Sequence, residues 1–291
     1  KTNPKNQKMK LIVDSGSTKA DWIAIDDSGK ILFTTQTLGL NPEILDEAEV
    51  IERLNDRFDI LQNKNEATHL FFYGAGCGTE RMKLFLSQVF QAYFPNAIVV
   101  VEEDTYAAVF ATTPKGEKAI VSILGTGSNC SYFDGKELHQ KVQSLGYIIM
   151  DDCSGNVFGK ELIRKYYFNK MPQHLAVEFE KEYDMTPDFI KSKLYKEANP
   201  NAYLATFAKF LIQHKEDPFC KKIIYKGMKS FVKNYIRQYD NYQEVPVHFV
   251  GSIAFYLKEE LEVTFEKYQI KLGNVLRRPI DGLIAYHVAN K

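Results

Sequence analysis

Asp14-Ser15-Gly16-Ser17-Thr18-Lys19-Ala20-Asp21 joins a carboxylate, a glycine, hydroxyls and a lysine in one tight turn. Apolar runs flank it, Leu11-Ile12-Val13 before and Trp22-Ile23-Ala24-Ile25 after, so the turn is expected between two strands. Such a loop can wrap phosphate: glycine lets the backbone come close, and N–H groups, hydroxyls and Lys19 meet the anion. Asp14 would hold a hydrated Mg²⁺. A polar hairpin turn draws on the same residue types, so this loop alone leaves both readings open. A second loop, Gly125-Thr126-Gly127-Ser128-Asn129, follows the apolar run Ile120–Leu124 about a hundred residues later. A short turn rarely needs two glycines with Thr, Ser and Asn, so phosphate binding is the better reading there. Two such loops predict two lobes gripping one nucleotide. No Gly-x-x-x-x-Gly-Lys-[Ser/Thr] occurs, which argues against a P-loop NTPase.

Three further segments carry candidate chemistry. Val99–Val101 runs into Glu102-Glu103-Asp104. Carboxylates after a strand are usually solvated, but the carboxyl ends of strands are where α/β proteins place reactive groups. Asp104 opens an expected helix and could take a proton from a substrate hydroxyl. Asp151-Asp152-Cys153-Ser154-Gly155 precedes a long helix and reads either as capping or as a carboxylate turned to a substrate. Phe249-Val250-Gly251-Ser252 ends a strand in small residues, fitting a flat ring such as adenine or merely a tight strand-to-helix turn.

These pieces need elements to hold them. Strands are expected at Lys10–Val13, Trp22–Ile25 and Ile31–Thr35, with a helical stripe on Leu45, Ile51, Leu54, Phe58 and Leu61. A strand at His69–Tyr73, a helix at Thr79–Phe94 and a strand at Ala97–Val101 follow. The pattern then restarts with strands at Ala119–Leu124, Ser131–Phe133 and Glu137–Val142. Residues 154–239 read as helical, most clearly Asp217–Tyr239, before a strand at Val245–Val250, a helix near Phe255–Tyr268 and a last helix from Pro279. Two meanders, each followed by alternating elements, predict an α/β protein of two lobes with mixed sheets. The expected division is 9–115 with about 279–291, against 116–278.

The 291 residues are 45% hydrophobic and 25% charged, with 37 basic against 37 acidic side chains. Zero net charge argues against nucleic acid or an anionic membrane as partner. No run nears the roughly 20 apolar residues of a bilayer span. Residues 1–10 lack a signal-peptide apolar segment, and Met9 is a candidate native start. Cys77, Cys130, Cys153 and Cys220 are scattered and, like the six histidines, show no zinc spacing. Reduced thiols and a cytoplasmic location are expected.

Taken together, the two loops, the Asp between them and the glycine near 251 resemble the actin, sugar-kinase and Hsp70 superfamily. More narrowly, the chain resembles the BadF/BadG/BcrA/BcrD ATPase group, which includes N-acetylglucosamine kinases, over its whole length from Met9. Gly125-Thr126-Gly127-Ser128-Asn129-Cys130 is the most specific piece. The resemblance implies two ribonuclease H-like lobes flanking a cleft and an ATP-dependent, Mg-dependent sugar kinase, with a homodimer possible. It implies Asp104 as base, Asp14 as the metal-linked residue, and ATP phosphates on Ser15, Gly16, Ser17, Thr18, Lys19, Gly125, Thr126, Gly127 and Ser128. Gly251 and Ser252 would meet adenosine. Asn41, Asp104, Asn129, Leu145 and Asp151 would meet the sugar. Leu145 stands where the group has Trp, Met150 and Cys153 where it has glycines, Asp152 where it has Glu, and Ser252 where a second glycine is frequent. Two alternatives remain: an ATPase of the dehydratase-activator type, with Cys130 and Cys153 as the plausible iron–sulfur ligands, and a catalytically silent nucleotide or sugar sensor.

Overall fold

The computed structural model describes residues 8–16 and 18–289. They form two compact units, one running to Thr112 and resuming at Arg278, the other spanning Thr113–Arg277.

The first unit begins with β1 (Met9–Ser15), β2 (Lys19–Ile25) and β3 (Ile31–Leu38), an antiparallel meander. Helices α1 (Glu47–Asn55) and α2 (Phe58–Asn63) lead to β4 (Ala67–Gly74), which joins β1 in parallel. Then come α3 (Glu80–Tyr93), β5 (Ile98–Glu103), parallel to β4, and α4 (Asp104–Thr112). The sheet order is β3-β2-β1-β4-β5. Helix starts follow side-chain caps: Asp46 and Glu49 form a reciprocal capping box on α1, and Thr79 caps α3. The stripe from Leu45 to Leu61 does not make one helix. The chain breaks at Arg57, which is extended, and this turns Ile60 into the core while Phe58 is left 72% exposed.

The second unit repeats the plan. Strands β6 (Ala119–Leu124), β7 (Ser128–Phe133) and the short β8 (Leu138–His139) form its meander. A helical block follows: α5 (Gly155–Tyr167), α6 (Gln173–Glu182), α7 (Pro187–Tyr195), α8 (Pro200–Thr206), α9 (Ala208–Gln213) and α10 (Pro218–Asn234). Strand β9 (Val247–Val250) pairs in parallel with β6, then α11 (Ser252–Tyr256), α12 (Lys258–Tyr268) and β10 (Leu272–Leu276) complete a sheet ordered β10-β9-β6-β7-β8. The expected strand over 137–142 shrinks to two residues because the chain leaves the ladder there, and the Lys141 N–H donates to the Tyr239 hydroxyl instead. Strand β10 is not evident in the sequence, because Gly273-Asn274 reads as a turn. In the fold Gly273 lies against the His248 ring, and the Asn274 N–H donates to His248 Nδ1 at 2.8 Å.

The closing helix α13 (Ile280–Ala289) belongs to the first unit, packed on α4 and β1. Its Ile280 and Leu283 join Ile12, Ile23 and Tyr73 in a core on one face of the first sheet. The other face carries Val13, Trp22, Phe72 and Phe90. Among the described residues, no helix is long and apolar enough to cross a membrane.

Candidate active site

In the first unit the parallel strands β1, β4 and β5 bring their carboxyl ends to one edge. Register places Asp14, Tyr73 and Glu102 side by side, and Ser15, Gly74 and Glu103 in the next row. Asp104 follows as the first residue of α4. On the antiparallel side Asp21 lies opposite Asp14, so both carboxylates share one face. Asp14 is half-buried, and its pKa is pushed up to about 7. Burial is the main cause, followed by the negative charges of Asp104 and Asp21, with Lys19 and Arg278 pulling the other way. Asp104 is also raised by burial, against hydrogen bonds from Thr105 that favour its ionised form. A half-buried carboxylate crowded by like charges, beside a phosphate-type loop, is a donor that a divalent cation would relieve. Among the described residues, no group of three or more His, Cys, Asp or Glu forms a protein-only metal cage. Any cation here would therefore take much of its coordination from water or phosphate.

The β1–β2 turn is closed by the Gly16 N–H donating to the Lys19 carbonyl at 2.9 Å. Ser15 is fully buried; its hydroxyl accepts the Leu40 N–H at 2.9 Å, and its carbonyl accepts the Ala75 N–H at 2.8 Å. Ser15 thus braces the turn from within. Lys19 forms an ion pair with Asp21 at 3.1 Å. Ser17, a candidate phosphate ligand, lies outside the described residues. Asn41 turns its Oδ1 to the Glu43 N–H at 2.9 Å and leans on Gly76, where an added Cβ would come within 2.0 Å of that oxygen. Gly76 has φ +84, so only glycine fits on both counts. This loop, Gly74-Ala75-Gly76-Cys77-Gly78, escaped the sequence reading, although three glycines in five residues between a strand and a helix were signal enough. A cavity of about 440 Å³ opens beside the turn, lined in part by Asp21, Gln36, Arg57 and Arg278. It touches the Asp14 row through Asp21 and does not include Asp104.

In the second unit, the turn from β6 to β7 consists of Gly125, Thr126 and Gly127, closed by the Gly125 N–H on the Gly127 carbonyl at 3.0 Å. The carbonyls of Gly125 and Thr126 accept the N–H groups of Gly155 and Asn156 at 2.8 and 3.0 Å. The first turn of α5 is thereby satisfied by the loop itself. A trans peptide points its N–H opposite its carbonyl, so the N–H groups of Thr126 and Gly127 face away from α5. That is the orientation a phosphate-binding turn requires. Ser128 pairs with Leu124 as β7 begins. Asn129 accepts from its neighbour's N–H and from Gln140 Nε2, both at 2.7 Å.

Asp151 lies against this turn: a Cβ on Gly127 would come within 2.8 Å of its Oδ2. It is buried and left-handed at φ +70. Cys153 is left-handed too, at φ +63, which accounts for the glycine the resemblance expects there. Asp152 instead bonds Ser230 and Asn234 of α10, both at 2.7 Å, and Ser154 caps α5. Leu145, Ile148 and Ile149 are 61%, 75% and 73% exposed on the segment leading to Asp151. Gly251 has φ +122, and a Cβ there would lie 2.2 Å from the Leu124 carbonyl, so the turn into α11 and the phosphate-type turn abut. Ser252 opens α11.

Cys130 and Cys153 are both buried in the second unit's core, with thiol pKa values raised by desolvation. Neither reaches the surface where a cluster shared between subunits would need it, so the arrangement offers the dehydratase-activator alternative no ligands.

Two five-stranded mixed sheets with the same strand order, each carrying a glycine-bearing turn after its first strand, define the actin-like fold of sugar kinases. No protein-family model and no curated protein matches the sequence. Among solved structures, a candidate N-acetylglucosamine kinase from Porphyromonas gingivalis is 34% identical, covering 97% of this chain and 99% of its own, with TM-score 0.87. A candidate N-acetylglucosamine kinase from Chromobacterium violaceum shares the fold at 15% identity and TM-score 0.70, over 96% and 99% of the two chains. A ROK-family glucokinase from Streptomyces griseus, solved with glucose and AMPPNP, does so at 14% and 0.61, over 96% and 97%. The chain belongs to the family of the P. gingivalis protein, within the actin-like sugar-kinase superfamily.

Proposed function

We propose that the protein is an ATP- and Mg-dependent kinase acting on a sugar hydroxyl, with N-acetylglucosamine or a related amino sugar as substrate. The observation that carries this reading is the full-length likeness to the P. gingivalis protein, joined to a half-buried Asp104 at the strand edge that holds Asp14. Asp104 accepts the proton of the substrate hydroxyl; the freed oxygen bonds to the γ-phosphorus as the bond to ADP breaks. Burial raises its proton affinity, which makes it a better proton acceptor than an exposed aspartate. Asp14 would hold Mg²⁺, which when bound would supply positive charge to the phosphates. Lys19 and the N–H groups of Thr126 and Gly127 meet the phosphates, and Gly251 and Ser252 the adenosine. Asn41, Asn129 and Asp151 bind sugar hydroxyls, and Leu145 gives them an apolar neighbour. Placement in the BadF/BadG/BcrA/BcrD group, a homodimer and a cytoplasmic setting belong to the same proposal.

Asp104→Asn is expected to abolish sugar-dependent ADP release while leaving nucleotide affinity within about twofold, since it removes the base and keeps the shape. Normal turnover by this variant refutes the role of Asp104. A screen of N-acetylglucosamine, N-acetylmannosamine, N-acetylmuramic acid, glucosamine and glucose identifies the substrate; ADP release with none of them refutes the kinase reading.

A further inference from the structure

Asn156 is fully buried at the second position of α5 and has no counterpart among the residues assigned above. Its backbone N–H and its Nδ2 both donate to the Thr126 carbonyl, at 3.0 and 2.7 Å. The same Nδ2 donates to Asp151 Oδ2 at 2.9 Å. Two acceptors on one side settle which end of the amide faces them. The other end, Oδ1, is buried with no hydrogen-bond partner among the described residues. An asparagine that leaves an acceptor unsatisfied at full burial gives up about 1–3 kcal/mol, so its two donor bonds are held against a standing penalty.

Asp151 needs such an anchor. Its left-handed backbone is unfavourable for a side-chain-bearing residue by about 1–2 kcal/mol. Its N–H donates to the Tyr235 hydroxyl at 3.3 Å, and its carboxylate lies over Gly127, where any Cβ would displace it. Its Oδ2 accepts a hydrogen bond from the buried Asn156 amide. One amide group thus ties the phosphate-type turn to the carboxylate assigned to the sugar.

We infer that Asn156 is a positioning residue that couples the two ligands: ordering of the Thr126–Gly127 turn by nucleotide fixes Asp151 for the sugar, and sugar on Asp151 fixes the turn for nucleotide. By linkage the coupling is reciprocal, each ligand raising the other's affinity by the same factor. This rests on the proposed kinase function and adds to it the residue that carries the coupling.

The test is calorimetry on the full-length protein. N-acetylglucosamine is titrated with and without MgAMPPNP, and MgAMPPNP with and without N-acetylglucosamine. Wild type is expected to show the same affinity gain in both directions. In Asn156→Ala the gain falls to about one, and sugar affinity drops about tenfold or more, the factor attached to losing a hydrogen bond to a charged group. Nucleotide affinity without sugar changes little, because the backbone N–H of residue 156 still holds Thr126. Asn156→Ser, which keeps a donor, recovers part of the gain and serves in place of the alanine variant if the latter does not fold. A variant that retains the wild-type gain overturns the inference, as does one that weakens both ligands equally with the gain intact, the mark of a merely structural role. Wild type binding each ligand with no gain also overturns the inference and leaves the kinase reading standing. Wild type binding neither ligand removes both.

Discussion

The turn after β1 and the turn after β6 occupy the same place in two sheets of one strand order, yet they are held differently. The first is braced by its own strand end: buried Ser15 takes N–H groups from Leu40 and Ala75, and the turn closes on itself at Lys19. It is rich in charge, with Asp14, Lys19 and Asp21 in contact or close coupling. The second carries no charged residue and is clamped from outside, by two N–H groups of α5, the Asn156 amide and the close approach of Gly251. The difference teaches that one topology can supply either of the two things a phosphate chain needs. Under the proposed function the charged turn would handle the cation, and the neutral turn would present oriented N–H groups whose fixed geometry does the work of charge.

Substitutions at the glycines break the comparison most sharply. Gly251→Ala should destabilise the second unit by about 3 kcal/mol or more, since the new Cβ meets backbone and the positive φ excludes a side chain. Thermal or urea unfolding, or loss of soluble protein, reads the effect; a near-native midpoint refutes the abutting turns. Next in size is Asp14. Its folded pKa of about 7 lies above the ordinary aspartate value of 3.8, so its contribution to stability is full below that value and is lost as pH rises through 7. Asp14→Asn should therefore gain on wild type from pH 4 to pH 8, by about 3 kcal/mol or less given partial exposure. A pH-independent difference means that Asp14 is not crowded as described. Mg²⁺ affinity in wild type should rise over the same interval.

Gly127→Ala pushes on the Asp151 carboxylate, a side chain that can yield, so about 1–2 kcal/mol of stability is at stake. The larger consequence is expected in the KM for sugar, measured by coupled ADP assay. Unchanged kinetics would separate Asp151 from the site. Gly16→Ala is the mild counterpart in the charged turn. The nearest atom to a new Cβ there is 3.7 Å away, so stability should move by less than about 1 kcal/mol in the same unfolding experiments. A large loss would show that the first turn is as tightly clamped as the second.

Much of this was legible in the residues. Leu11–Val13 and Ile120–Leu124 announce strands by composition, and the polar glycine-bearing turns that follow announce themselves by contrast. Asp104 stands out because an apolar run ends in three carboxylates where a helix is expected to open. Other features hid behind local ambiguity. Gly273-Asn274 has the chemistry of a turn, and only pairing with β9 in the fold makes it part of a strand. Phe58 continues a helical stripe that the break at Arg57 discards. Asn156 gives no sequence signal, because an asparagine in a first helical turn is ordinary.

The sequence by itself determined the order of elements, the two turns and the carboxylates at strand ends, since these depend on near neighbours and on periodicity. Only the tertiary structure decided which glycines are obligatory, that Ser15 is an internal brace, that Cys130 and Cys153 are sealed in the core, and that Asn156 reaches both Thr126 and Asp151. Those outcomes depend on contacts between residues far apart in the chain or on backbone angles imposed by packing, and no local pattern encodes them.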